Sequence, residues 1–461
     1  MTSDFHYLSL AELSRRLSAR EVSSVEVTRA VLDRIAQVDG RLKSYATVTG
    51  ELALADAARA DGEIAAGKRR GPLHGVPVAV KDLCDTAGIA TAAGMAIHRD
   101  RVPASDATVV ARLRAAGAVI LGKLQMTEGA FGAHHPSIPA PLNPWNETYW
   151  TGSSSSGSGA ATAAGLCFAS LGSDTGGSIR FPSTMCGLTG LKPSWGRVSR
   201  AGVFPLAPSL DHIGPMARSA LDAALVLGVL AGLDPDDPTT SPAPVPDYAA
   251  TIDRGVRGLR IGVPTNLAGM DADSRAALDG AIAALAAAGG AMVEIVLPPL
   301  DEPTMQWLSL CGVEAALAHE KTYPARAAEY GPVLAGLLEA GRKVSAFDLA
   351  RLQLDRARLT GELNRLMATV DLLLMPVMGI AALSVATAAS RTPEGVATRL
   401  RYTAPFDMSG HPTLTLPGGF TADGVPVGFQ IVGRAFDEAA ILADGHAYQS
   451  ATGWHLKRPP V

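Results

Sequence analysis

Cysteine is scarce in this chain: 4 residues in 461, at Cys84, Cys167, Cys186 and Cys311. No two of them form a CxxC pair, which argues against a zinc ribbon and against a disulfide framework. They are expected to be reduced thiols of a cytoplasmic protein. An excess of one charge is lacking too. The formal net charge is −4, and the one cluster of basic residues, GKRR at 67–70, is short enough to be a solvated helix end. That is not the electrostatic footprint of a nucleic-acid binder. No run of about 18 consecutive apolar residues occurs, so no membrane span is expected. The opening MTSDFHYLSLAELSRR lacks the basic-then-apolar order of a signal peptide. Familiar catalytic signatures are missing as well: there is no HExxH, no GxSxG around any serine, and no glycine-rich loop closed by the lysine of a P-loop.

What the chain does have is the balance of a globular protein with a large core, 47% hydrophobic and 18% charged. Residues 1–66 read as N-terminal helices. SLAELSRRLSARE and SSVEVTRAVLDRIAQVD are amphipathic, and 51–66 is rich in alanine. HGVPVAVKD then reads as a buried strand ending in a charge. A helix followed by a strand is predicted at 106–118 and 119–123, again at 272–288 and 292–296, and again at 347–368 and 371–376. TLTLP and VGFQIVG are expected strands, and DEAAILADGHAYQSA a closing helix. This alternation predicts an α/β fold. DPDDPTTSPAPVPDY, 234–248, reads as a surface loop of one domain. No internal repeat is present.

The chemistry gathers around one odd tract. TGSSSSGSG, 151–159, has the composition of a flexible linker, yet AATAAGLCFASLGSD follows it and looks buried. Two more stretches accompany it: GVPVAVKDLCDTAG at 75–88, with Lys81 at a strand end, and LGSDTGGSIRFPSTMCGLTGLKPSWGRVS at 171–199. DTGGS is a glycine turn presenting Ser178. Gly176 and Gly177 would let consecutive backbone N–H groups converge on one point, as an oxyanion hole needs. A serine there is a candidate nucleophile, and it requires a base. The one histidine pair, His134–His135 in AHHPSIPAP, reads as loop rather than as a catalytic or metal site.

These three stretches, in this order and spacing, resemble the amidase signature family, with the match most specific over 70–230 and more diffuse over 370–450. The tract departs from the usual GGSSGGS by carrying Ser153 and Ser156 in place of glycines. The resemblance implies a single α/β domain with a large central mixed, mostly parallel β-sheet covered by helices on both faces. It implies a triad of Ser178 as acylated nucleophile, Ser154 following a cis peptide bond, and Lys81 as base. Thr175, Gly176 and Gly177 would form the oxyanion segment with Ser178. Ser155 would hydrogen-bond the lysine, and Asp174 and Arg180 would support the turn. Burial at a strand end would lower the lysine pKa enough for the amine to act at neutral pH. No metal or cofactor is implied.

Within that family, stand-alone amidases are the expected class, including relatives that act as aryl acylamidases and urethanases. The alternative is the glutaminase subunit of a tRNA-dependent amidotransferase. Against it, EYGPVLAGLLEAGRKVSAFD lacks the EVKRRI-type segment whose arginine grips glutamine there. The serine tract differs, and HHPSIPAPLNPWNETYW is unusually rich in Pro and Trp. A catalytically silent binding protein on the same fold is disfavoured by the intact triad positions. Glu128, Gly129 and Phe131 are expected to border the acyl pocket. Trp307, Leu308, Cys311 and Met378 would line its far side, making it apolar with no fixed cation. The expected substrate is therefore a small neutral amide or carbamate, and the expected assembly a monomer or homodimer.

Overall fold

The computed structural model describes residues 5–390 and 392–461. Its strands are β1 (Tyr45–Val48), β2 (Pro77–Lys81), β3 (Val119–Leu124), β4 (Ala169–Asp174), β5 (Thr189–Lys192), β6 (His212–Ala217), β7 (Arg260–Pro264), β8 (Ala291–Ile295), β9 (Leu372–Pro376), β10 (Thr413–Phe420) and β11 (Pro426–Val432). They form one 11-stranded sheet in the order β1-β3-β2-β4-β6-β5-β10-β11-β9-β7-β8. Strands β2, β3, β4, β5, β6, β9 and β11 are buried along their whole length, whereas the edge strands β1 and β8 are partly exposed. This is why the central strands read as unbroken apolar runs.

The sheet is mixed as expected, but the expected excess of parallel strands is corrected. Of the pairings among the described residues, 4 are parallel (β2–β3, β2–β4, β7–β8, β7–β9) and 6 antiparallel. The reason lies in the connections. A parallel pair needs a crossover, usually through a helix. Here β10 returns directly into β11, and β5 reaches β6 through a segment without a helix.

Helices cover both faces at the centre. On one face of β10, Leu414 and Leu416 lie against Gly445 of the helix Glu438–Thr452. Phe429 of β11, opposite Leu416, meets Tyr448 edge-on at 4.8 Å. On the other face, Gly428 packs on Thr184 of the helix Arg180–Cys186, and Gln430 receives Arg180 Nη1. Residues 234–248 hold neither helix nor strand; Asp234 and Asp237 tie them to Thr108, Ser199 and the Arg200 backbone. No described helix is long and apolar enough to cross a membrane.

The linker-like tract opens the helix Ser156–Ala163, which is buried at every position. A side chain at Gly157 would strike the backbone of Ser44 and Gln125. The small residues are thus the condition for close packing in the middle of the fold, not a mark of flexibility.

Candidate active site

Lys81 closes β2 between its parallel neighbours β3 and β4, with its side chain fully buried. β4 ends in Ser173 and Asp174 and feeds the glycine turn, Thr175–Ser178, which leads into the helix Arg180–Cys186. The serine tract crosses in front, and its Ser153–Ser154 peptide bond is cis. Lys81 Nζ meets three hydroxyls: Ser154 Oγ at 2.6 Å, Ser155 Oγ at 2.8 Å and Ser173 Oγ at 2.8 Å. Ser155 Oγ donates to Ser173 O at 3.2 Å, so toward Lys81 it can only accept. A neutral amine has two N–H groups and one lone pair. A neutral Lys81 donating to Ser155 and Ser173 would have its lone pair free for the Ser154 proton. Burial pushes the Lys81 pKa down to about 7.

Ser178 is joined to the tract through Ser155 N, which donates to Ser178 O at 3.3 Å. Its side chain opens on a cavity of about 580 Å³. The turn behind it is held from all sides. Asp174 accepts from Gly177 N (2.5 Å) and Ile179 N (2.9 Å), and takes a two-pronged contact from Arg180 Nε (3.0 Å) and Nη2 (2.9 Å). Arg180 also pairs with Asp407 and donates to Thr403 O at 2.9 Å. Burial alone would raise the Asp174 carboxyl; the Arg180 guanidinium holds it below the usual carboxylate range instead. Thr175 Oγ1 donates to Asp211 (2.6 Å), Trp307 Nε1 to Thr175 O (2.7 Å) and Thr403 Oγ1 to Gly176 O (2.6 Å). A side chain at Gly176 would collide with the Trp307 ring. One at Gly177, where φ is +134°, would collide with Phe181.

The expected pocket residues divide. Phe131, Trp307 and Leu308 line the cavity. Glu128 and Gly129 stand behind its wall: both Glu128 carboxylate oxygens accept from Gly331 N at 3.0 Å, and Gly129 faces Leu334. Burial pushes the Glu128 carboxyl up to about 7. Cys311 and Met378 are buried elsewhere in the core. His134 is drawn toward Ser156 Oγ (3.1 Å) with its pKa pushed down to about 4 by burial, and His135 turns to Ser137.

Sequence reasoning missed several wall residues: Trp150, Phe181, Met305, Val333, Val396 and Arg399. Arg399 corrects the expectation of a pocket with no fixed cation. An apolar helical stripe shows that a face is buried but not whether it meets core or cavity, so no signal separated Trp307 from Cys311.

The Amidase family model matches residues 26–442. Over 457 residues the chain is 51% identical to AmiD of Mycobacterium tuberculosis, an amidase by name, covering 98% of this chain and 96% of AmiD. It is 39% identical over 483 residues to a glutamyl-tRNA(Gln) amidotransferase subunit from Geobacter sp., covering 98% and 99% of the two chains. Among solved structures it is similar to the peptide amidase of Stenotrophomonas maltophilia, with a TM-score of 0.86, 31% identity and 98% coverage of both chains. The fold and the site thus define an amide-hydrolysing enzyme. The chain belongs to the amidase family.

Proposed function

We propose that the chain cleaves the C–N bond of small amides through an acyl-enzyme on Ser178, with Ser154 and Lys81 as the proton relay. The observation that carries this is the hydroxyl cluster on Lys81: its amine lies 2.6 Å from Ser154 Oγ, and burial pushes its pKa down to about 7. Lys81 takes the Ser154 proton as Ser154 takes that of Ser178. The Ser178 oxygen attacks the carbonyl carbon. Ser154 then returns a proton to the departing nitrogen, which an amide needs because its anion leaves poorly. Water cleaves the ester by the same relay and regenerates Ser178.

Of the expected oxyanion donors, the Gly177 N–H is engaged by Asp174. We therefore assign the oxyanion to the neighbouring N–H groups of the turn, including Gly176 and Ser178. Phe131, Trp150, Phe181 and Trp307 make an aromatic wall that suits an aryl or alkyl group beside the carbonyl. A carbamate differs by one oxygen next to that carbonyl and fits the same acylation. The glutaminase alternative draws on the amidotransferase relative. Against it, the segment holding Gly336, which lines the cavity with open space before it, lacks the EVKRRI-type arginine expected for gripping glutamine, and the cavity's charged residue, Arg399, stands on a different helix.

A panel of aryl amides, primary amides, aryl carbamates and glutamine, scored for released amine, tests the substrate class. Ser178→Ala should abolish turnover, and Lys81→Ala should lose several orders of magnitude. The double variant should be scarcely worse than Ser178→Ala, because residues of one relay are not additive. Glutamine as the preferred substrate, or an acyl adduct mapped by mass spectrometry to a residue other than Ser178, would refute the reading.

A further inference from the structure

Among the described residues lining the substrate cavity, Arg399, on the helix Pro393–Leu400, is the one that carries a charge. Its guanidinium is oriented by two main-chain acceptors, Nη1 donating to Ala388 O at 2.9 Å and Nη2 to Ser390 O at 3.2 Å. Those carbonyls carry no net charge. Other arginines nearby have counter-charges: Arg401 reaches Asp301 at 2.8 Å, and Arg180 has Asp174 and Asp407. Among the described residues no carboxylate pairs with Arg399. Burial disfavours its charged form. A half-buried cation facing an apolar cavity is costly unless an anion completes it. The planar guanidinium is matched to a carboxylate by charge and by geometry.

We propose that Arg399 determines specificity by receiving a carboxylate that the substrate carries away from its scissile amide. The preferred substrates are thus amides with an apolar or aryl body and an anionic end, not the wholly neutral amides anticipated from sequence. The inference rests on the hydrolase reading for its meaning, but its test does not. A plain structural role for Arg399 would be to cap the helix Val385–Ala389, whose last carbonyls it meets.

The test measures binding and turnover of matched amides. One pair of anilides has an acyl chain ending in carboxylate or in methyl. A second pair carries the carboxylate or a methyl on the aniline ring. Calorimetric Kd on Ser178→Ala is expected to favour one carboxylate member by about tenfold or more, the weight of a charge-assisted bidentate pair. The same preference should appear in kcat/KM of the wild type, chiefly through KM. Arg399→Gln should erase the preference while leaving the methyl partner's Kd within about twofold, and Arg399→Lys should restore part of it. Equal binding of both members in both pairs overturns the proposal. So does a preference that survives Arg399→Gln, or a loss of thermal stability in that variant with the preference intact. If Arg399→Gln does not fold, the wild-type pairs and Arg399→Lys still decide. A binding preference with no amide turned over would preserve this assignment while removing the hydrolase reading.

Discussion

Burial disfavours the Lys81 ammonium more than the nearby Asp174 and Asp211 charges favour it, which pushes its pKa down from 10.5 to about 7. The sign of the pH dependence follows. Below pH 7 the ammonium has no lone pair for Ser154, and above it the amine does. kcat/KM is expected to rise through one ionisation near pH 7 and then level off, and a pH–rate profile on an uncharged amide checks it. The unfolded chain keeps this proton up to about 10.5. The contribution of Lys81 to folding stability therefore rises with pH between those two values. His134→Ala should leave the limb in place. A limb near pH 4 that disappears in His134→Ala would point to His134 instead, whose own pKa is pushed to about 4. At this scale Lys81, Ser154 and Ser178 stood out through the resemblance of three motifs to the amidase signature. Arg399 did not, because one arginine on a short surface-like helix has no local mark of the cavity it faces.

The turn Thr175–Ser178 works as an element because three others grip it: the helix Asp301–Ala318 through Trp307, the segment before the helix Ala404–Met408 through Thr403, and its own flanks through Asp174 and Arg180. Gly176 has no room for a methyl group beside the Trp307 ring. Gly176→Ala is expected to displace that ring and the backbone N–H groups together. kcat should fall by about 10²–10³, the cost of losing an oxyanion donor, with only a modest fall in Tm and a shift in tryptophan emission. Normal kcat in this variant would mean that the turn tolerates displacement and that its N–H geometry is not limiting. The glycines of DTGGS were readable as a backbone requirement. Their partner Trp307 lies 131 residues beyond Gly176, and only the packing of the helix Asp301–Ala318 reveals it.

On the scale of the molecule, the sheet interleaves distant parts of the chain: β5 pairs with β10, and Glu438 reaches back to Ser194 N at 2.9 Å and Arg197 Nε at 3.2 Å, all buried. Removing one partner of a buried ion pair leaves the other uncompensated, at about 3–5 kcal/mol. Glu438→Ala should therefore lower the apparent Tm of a single calorimetric transition. Two separate transitions would show that the N-terminal and C-terminal strands unfold independently. Within the sequence alone, periodicity, a local property of the chain, determined the α/β class and about half of the elements, 7 of the 15 described α-helices and 6 of the 11 described strands, while the resemblance of its motifs proposed Lys81, Ser154 and Ser178 as the relay residues. The sequence did not determine strand direction, since that depends on whether a connection crosses over or returns. It did not determine which apolar residues line the cavity, or that Arg399 charges its wall. Those follow from which helix faces meet when elements far apart in the chain pack together, and burial by a distant element leaves no trace in the local pattern.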